Sequence, residues 1–255
     1  MSHDEVTRPG QGEFDGVAQY YDHLMRHVPY GAWADYVEGL LRRWGASPKQ
    51  VLDLACGTGM VGVELLRRGY EVVGADLSEP MVRLCARQDP PLPAIVSDAR
   101  QMGYASESFE LVVCLYDSLN YILELEGFTA ALAEGYRMLR PGGLFVFDLN
   151  TARALSTGMF TQRDLTGPDP LHYDWQAHWD SRTHICRVDM WFGYREGENV
   201  REFTETHFQR SYTHKEVLGA LKTAGFHRPK AYDGYRFTPL TPWSDRVFYV
   251  ARKET

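Results

Sequence analysis

Two carboxylates and two glycines stand at spacings that suit a nucleoside-like ligand. The run VLDLACGTG at 51–59 reads as a short apolar strand that empties into a turn at Gly57 and Gly59, with a helix starting directly after. Glycine has no Cβ, so a ligand can approach the backbone there. The first N–H groups of the helix then offer a partial positive charge. Asp53 lies inside that strand, four residues before Gly57, and Asp76 closes the next strand, seventeen residues after Gly59. A carboxylate in the second position can accept hydrogen bonds from both hydroxyls of a ribose. The stretch GTGMVG at 57–62 also matches the GxGxxG pattern of dinucleotide sites, so an NAD-dependent oxidoreductase is one reading of these residues. Asp53 opposes it, because a carboxylate beside the loop suits an ammonium group and repels a pyrophosphate.

The elements that must hold these groups are legible from periodicity. Residues 1–15 are polar and aperiodic, which predicts a mobile tail. Trp33, Val37, Leu40, Leu41 and Trp44 recur at helical steps in an N-terminal cap. From Val51 to Asp148 short apolar runs alternate with amphipathic stretches, and Ser78 with Pro80 marks a helix start. This alternation predicts a mainly parallel sheet with helices on both faces. Between Leu171 and Tyr212 the period becomes two, which predicts a three-stranded antiparallel insert within 151–212. Thr213 is then set to cap a last helix. Lys230–Phe237 and Val247–Arg252 follow without a helix between them, an antiparallel pair at the sheet edge. The expected organisation is a core of 16–150 plus 213–255, interrupted by the insert.

Composition narrows the function. The chain has 255 residues, 44% of them hydrophobic, enough for a substantial core. Its net charge of −7, without a basic tract, argues against a nucleic-acid partner. No apolar run approaches the ~20 residues of a membrane span, and the N-terminus lacks a leader-like apolar stretch, so no membrane partner is expected. Cys56, Cys85, Cys114 and Cys186 are too scattered for a disulfide framework or a cysteine zinc site, which points to a reducing, cytoplasmic setting.

Taken together, DLACGTG at 53–59, VGADLS at 73–78, SDA at 97–99, FELVVCL at 109–115 and LRPGG at 139–143 resemble the core of class I S-adenosylmethionine-dependent methyltransferases. The N-terminal YYDHL at 20–24 and YGAW at 30–33 are similar to a bacterial subgroup that includes sugar-amine N-methyltransferases. The resemblance implies a Rossmann-like, seven-stranded sheet with a reversed last strand and S-adenosyl-L-methionine as cofactor. It implies that Ala55, Gly57 and Gly59 carry the methionine part along the loop and that Asp53 holds its ammonium. Asp76 would take the ribose hydroxyls, Leu77 would pack on adenine, Asp98 would accept from the adenine amine, and the Ala99 N–H would meet the ring. Leu115 would offer its carbonyl beside the methionine amine, with Tyr21 and Trp33 closing the pocket. The implied activity is methyl transfer to nitrogen or oxygen of a small molecule. A non-catalytic S-adenosylmethionine-binding protein remains the other reading of the same residues.

Residues after the fourth strand face the crevice in such sheets, which nominates Tyr121 and Asp117 to orient the methyl acceptor. Similar sugar N-methyltransferases carry a His where Tyr121 stands here. In the insert, His172, Asp174, Gln176, His178, Glu205, His207 and Gln209 form a polar set expected either over the crevice as a lid or in water. The Trp- and Tyr-rich face is expected to pack on the main domain or on a second subunit, which is where a homodimer would form. His172, His178 and His184 fall at intervals of six, about 20 Å along a strand, too far apart for one metal ion.

Overall fold

The computed structural model of the chain describes residues 14–166, 169–197 and 199–254. Two helices come first, α1 (Ala18–Leu24) and α2 (Tyr30–Arg43), followed by β1 (Gln50–Leu54), α3 (Met60–Arg67), β2 (Glu71–Asp76), α4 (Glu79–Cys85), β3 (Ala94–Val96) and β4 (Phe109–Cys114). A 3-10 turn at Ser118–Tyr121 leads to α5 (Leu125–Met138), β5 (Leu139–Asn150) and the short α6 (Ala152–Ser156). Next come β6 (Gln162–Asp164), β7 (Leu171–Asp180), β8 (Ile185–Glu196) and β9 (Asn199–Arg210), then α7 (His214–Thr223), β10 (His227–Asp233) and β11 (Arg246–Arg252).

Seven strands form the main sheet in the order β10-β11-β5-β4-β1-β2-β3. Those from β1 to β5 pair in parallel, whereas β11 runs antiparallel to both β5 and β10. The fold is therefore α/β and Rossmann-like, with the last strand reversed. Its central strands are apolar on both sides because both faces are covered. Val37, Leu40, Val61 and Leu65 of α2 and α3 pack on one face, and Phe128, Leu132, Val217 and Leu221 of α5 and α7 on the other. Local signals set the helix starts as expected. The Ser78 hydroxyl accepts from the Met81 N–H, and Thr213 forms a capping box with Glu216.

The insert departs from expectation in two ways. It has four strands, in the order β6-β7-β8-β9, because Gln162–Asp164 in the expected loop pairs with Tyr173–Trp175. Its polar residues also divide between two faces. Trp175 pairs with Met190, which pairs with Glu205, so Glu205 and His207 share a face with Tyr173, Trp175 and Phe192. His172, Asp174, Gln176 and His178 occupy the opposite face, where Arg163 pairs with Asp174 and His178 lies 3.6 Å from Asp189. Strand register, which alternation within one strand does not reveal, decides this.

The apolar face of the insert is covered within the chain. Leu171, Val188, Met190 and Phe192 pack against Val17 and Tyr20 and against Leu155 of α6. Of the expected mobile tail, residues 1–13 lie outside the described residues, while Phe14 and Asp15 are fixed. The Phe14 ring stands 4.5 Å from that of His207, and the Ser78 hydroxyl donates to Asp15 at 2.9 Å.

Candidate active site

A cavity of about 1320 Å³ opens where the C-terminal ends of β1, β2 and β4 meet the N-terminal segment and the insert. β1 reaches it through Ala55, whose φ of 56° is left-handed for a residue with a side chain, so the chain turns sharply there. Gly57 follows at φ 56°, and a Cβ on it would meet nothing within 4 Å: this glycine faces open space in the cavity. Gly59 does not. Its φ is 88°, and a Cβ there would lie 2.8 Å from Leu92 Cδ2 and 3.1 Å from Cys85 Sγ. It caps α3 and packs beneath the loop, so the two glycines do different work.

Asp53 is 2% exposed, lines the cavity, and leaves its Oδ2 without a hydrogen-bond partner. Burial raises its carboxyl to about 7, eased by the Gly62 backbone and reinforced by Asp76. Asp76 is fixed instead: Oδ2 accepts from Gly57 N–H at 2.8 Å and Oδ1 from Ser78 N–H at 2.9 Å. Burial raises its carboxyl, while those N–H groups hold it down. Leu77, at 55% exposure, and Ala99 line the same end. Asp98 is gripped by the Arg100 guanidinium at 2.5 Å, which lowers its carboxyl. Leu115 borders the cavity, and its carbonyl accepts from the Ser118 hydroxyl at 3.0 Å.

The N-terminal segment closes this end. The Thr58 hydroxyl donates to Asp22 at 2.5 Å, the Gln88 amide donates to the other Asp22 oxygen, and Val17 N–H donates to Glu205 at 2.9 Å. Tyr21 projects into the cavity from α1. Burial and its neighbours Tyr30, Tyr116, Tyr121 and Asp117 push its hydroxyl well above the usual range, so it stays a neutral phenol. Trp33 does not join them. It is 7% exposed and packs between Tyr30, Tyr116 and Tyr235, behind the cavity wall. An aromatic on an amphipathic helix face is more often core than contact, and here the core reading holds.

The segment after β4 is held under strain. Tyr116 and Asp117 have φ of 68° and 53°, each costing about 1–2 kcal/mol. Asp117 is the anchor and is tied on both oxygens, to Arg246 at 2.7 Å and to Gln209 at 2.7 Å, while its N–H donates to Asp148. Arg246 also pairs with Asp148, forming a buried cation between two carboxylates. Burial raises Asp117 to about 6, with Arg246 opposing the rise. Asp117 thus braces the loop, and the expectation that it orients an acceptor gives way to a structural role. Tyr121 does line the cavity, with its hydroxyl 3.2 Å from His207 Nδ1.

Comparison with known proteins fits this geometry. Residues 51–143 match the family model of a methyltransferase domain. YqeM of Bacillus subtilis, itself provisionally assigned as a methyltransferase, is 31% identical over 94% of this chain and 97% of its own length. The chain belongs to the class I S-adenosylmethionine-dependent methyltransferases. An S-adenosylmethionine-dependent methyltransferase from Clostridium acetobutylicum superposes with a TM-score of 0.82 at 24% identity, covering 95% of this chain and 99% of that one. The sugar N-methyltransferase KedS8 from Streptoalloteichus superposes at 0.78 and 20% identity, covering 93% of each chain.

The cofactor of this methyltransferase is S-adenosylmethionine, and the residues present fit it. An orphaned buried carboxylate oxygen on Asp53 awaits a cation, and the open flank of Gly57 leaves the main chain bare. Beside Asp53 a dinucleotide pyrophosphate would meet a carboxylate, and membership of the methyltransferase family removes the oxidoreductase reading. Sequence reasoning missed Asp22, Thr58 and Arg246, and it placed Glu205 and His207 in one polar lid set with residues of the opposite face. Each works through a partner distant in the chain, a relation that spacing does not carry.

Proposed function

We propose that this methyltransferase methylates nitrogen or oxygen of a small molecule. The observation that carries the reading is the lining of the cavity. One space of about 1320 Å³ is bordered both by Asp53, Gly57 and Asp76 and by the aromatic and apolar side chains of Tyr21, Phe160, Tyr173, Trp175, Met190 and Phe192, which leaves room for an acceptor beside the cofactor. The structural likeness to a sugar N-methyltransferase supports nitrogen as one acceptor atom. The scattered spacing of Cys56, Cys85, Cys114 and Cys186 supports a reducing, cytoplasmic setting as part of this reading. Among the described residues no helix is long and apolar enough to cross a membrane.

In this reading the main chain from Ala55 to Gly57 carries the methionine end, and Asp53 holds the ammonium. Asp76 takes the ribose hydroxyls, Leu77 packs on adenine, Asp98 and the Ala99 N–H meet its edge, and the Leu115 carbonyl faces the amine. When bound, the cofactor supplies a methyl group already activated by its sulfonium. The chain therefore has to position the acceptor, exclude water and deal with a proton. Tyr21, as a neutral phenol, and the aromatic walls keep that space dry.

A panel of amines, phenols, hydroxy acids and amino sugars, incubated with S-adenosylmethionine and read as S-adenosylhomocysteine release, tests the reading. Acceptor-dependent release at least tenfold above background is expected. Tight cofactor binding without release from any acceptor would favour a binding protein instead.

A further inference from the structure

Glu205, His207 and Tyr121 form a chain of hydrogen bonds that the cofactor end does not use. Val17 N–H donates to Glu205 Oε1 at 2.9 Å, and Glu205 Oε2 lies 2.8 Å from His207 Nε2. The Tyr121 hydroxyl lies 3.2 Å from His207 Nδ1. The His207 and Glu205 side chains are 2% and 8% exposed, and Phe14 lies over the imidazole edge. In the tautomer that serves a proton relay, Nε2–H donates to Glu205. Nδ1 is then an acceptor, and the Tyr121 hydroxyl donates to it. Two elements bring the chain together: the 3-10 turn after β4 supplies Tyr121, and β9 of the insert supplies the other two.

The charge lining the cavity as a whole disfavours an anionic acceptor. Among the described residues lining the cavity, Arg100 is the one Lys or Arg, and its guanidinium is held by Asp98. Asp15, Asp53, Asp76, Glu79 and Glu124 share that lining. A carboxylate or phosphate on the acceptor would find no unpaired Lys or Arg among these described residues, whereas an apolar ring would find aromatic faces.

We infer that the acceptor is an apolar molecule bearing an uncharged N–H or O–H nucleophile, and that Tyr121, backed by His207 and Glu205, takes its proton. This rests on the methyltransfer reading above. An electron pair of the nucleophile forms the bond to the methyl carbon, and the pair of the broken methyl–sulfur bond stays on sulfur. The N–H or O–H bond breaks with its pair left on the acceptor atom. Its proton passes to the Tyr121 oxygen as the Tyr121 proton passes to His207 Nδ1. Glu205 balances the imidazolium so formed, much as a buried carboxylate does in other histidine relays. Tyr121 is the catalytic residue of this step, and His207 and Glu205 are positioning residues.

The test uses protein labelled with 15N-histidine and loaded with S-adenosylhomocysteine, observed by NMR and titrated with phenol and separately with benzoate. The expected result is His207 with Nε2 protonated and Nδ1 bare, a His207 shift on adding phenol, and benzoate binding at least tenfold more weakly. In Tyr121→Phe, S-adenosylhomocysteine should bind as in the wild type, and the phenol-induced shift of His207 should be lost. A protonated Nδ1, a His207 resonance unmoved by phenol, or benzoate binding as tightly as phenol would overturn the inference. Failure to bind S-adenosylhomocysteine in calorimetry would strike the methyltransfer reading itself, which keeps the two failures separate.

Discussion

Burial lifts Asp53 to about 7, so its charge is present or absent within the ordinary working range of pH. The raised value means that the empty site favours the protonated form. The carboxyl's contribution to stability without ligand is full below the ordinary aspartate value of about 4 and is lost as pH rises through about 7. Ligand binding runs the other way, because only the carboxylate can hold an ammonium. Affinity for S-adenosylhomocysteine should rise about tenfold between pH 6 and 8 beyond the slope of Asp53→Asn, and equal slopes in calorimetry would remove Asp53 from the site. Asp76→Ala should weaken the same affinity by about 1–3 kcal/mol, since a charged acceptor is lost and the Gly57 and Ser78 N–H groups lose their partner. Unchanged affinity would place the ribose elsewhere. Both residues were legible in the sequence because each is a carboxylate in an apolar strand, Asp53 within β1 and Asp76 at the end of β2, where packing alone does not favour a charge. Trp33 misled for the opposite reason, since a helical stripe announces that a side chain is buried and leaves its neighbours unstated.

At the scale of elements, the turn between β1 and α3 shows how two glycines in one motif divide their labour. Gly57→Ala should cost cofactor affinity, because its Cβ would enter the open cavity, in addition to the ~1–2 kcal/mol of stability that a left-handed alanine costs at either position. Gly59→Ala should cost mainly stability, adding a clash with Leu92 and Cys85 to the ~1–2 kcal/mol of a left-handed alanine. Urea unfolding and calorimetry on the pair check this, and a larger affinity loss in Gly59→Ala would reverse the assignment. The reversed strand β11 has its own function, delivering Arg246 to Asp117 and Asp148. Arg246→Met should lower unfolding free energy by about 3–5 kcal/mol, because two buried carboxylates lose their cation, and a loss under 1 kcal/mol in urea would discount the bridge. The sequence exposed β11 as a strand, yet its partnership with Asp117 spans 129 positions and left no local trace. The insert was similarly half legible. Alternation identified β7, β8 and β9, but the facing of Glu205 and His207 awaited the register that pairs Met190 with both Trp175 and Glu205.

Across the whole molecule, three parts that are distant in sequence converge on one space. The parallel sheet supplies the loop and the acids, the N-terminal segment closes over them through Asp15, Val17 and Asp22, and the insert supplies the aromatic lining. The doubly covered sheet was readable because alternating strands and helices leave few other ways to pack. The closure was readable only in part: the family resemblance placed Tyr21 over the pocket, while the hydrogen bonds that tie the N-terminal segment to Ser78, Thr58 and Glu205 join residues distant in the chain and leave no local pattern. A crystal structure of the protein grown with S-adenosylhomocysteine tests the central claim most directly. The account predicts the amino-acid end against Asp53 and the bare flank of Gly57, with the ribose hydroxyls on Asp76. Electron density for the compound anywhere else, or a cavity left empty at saturating concentration, would contradict it.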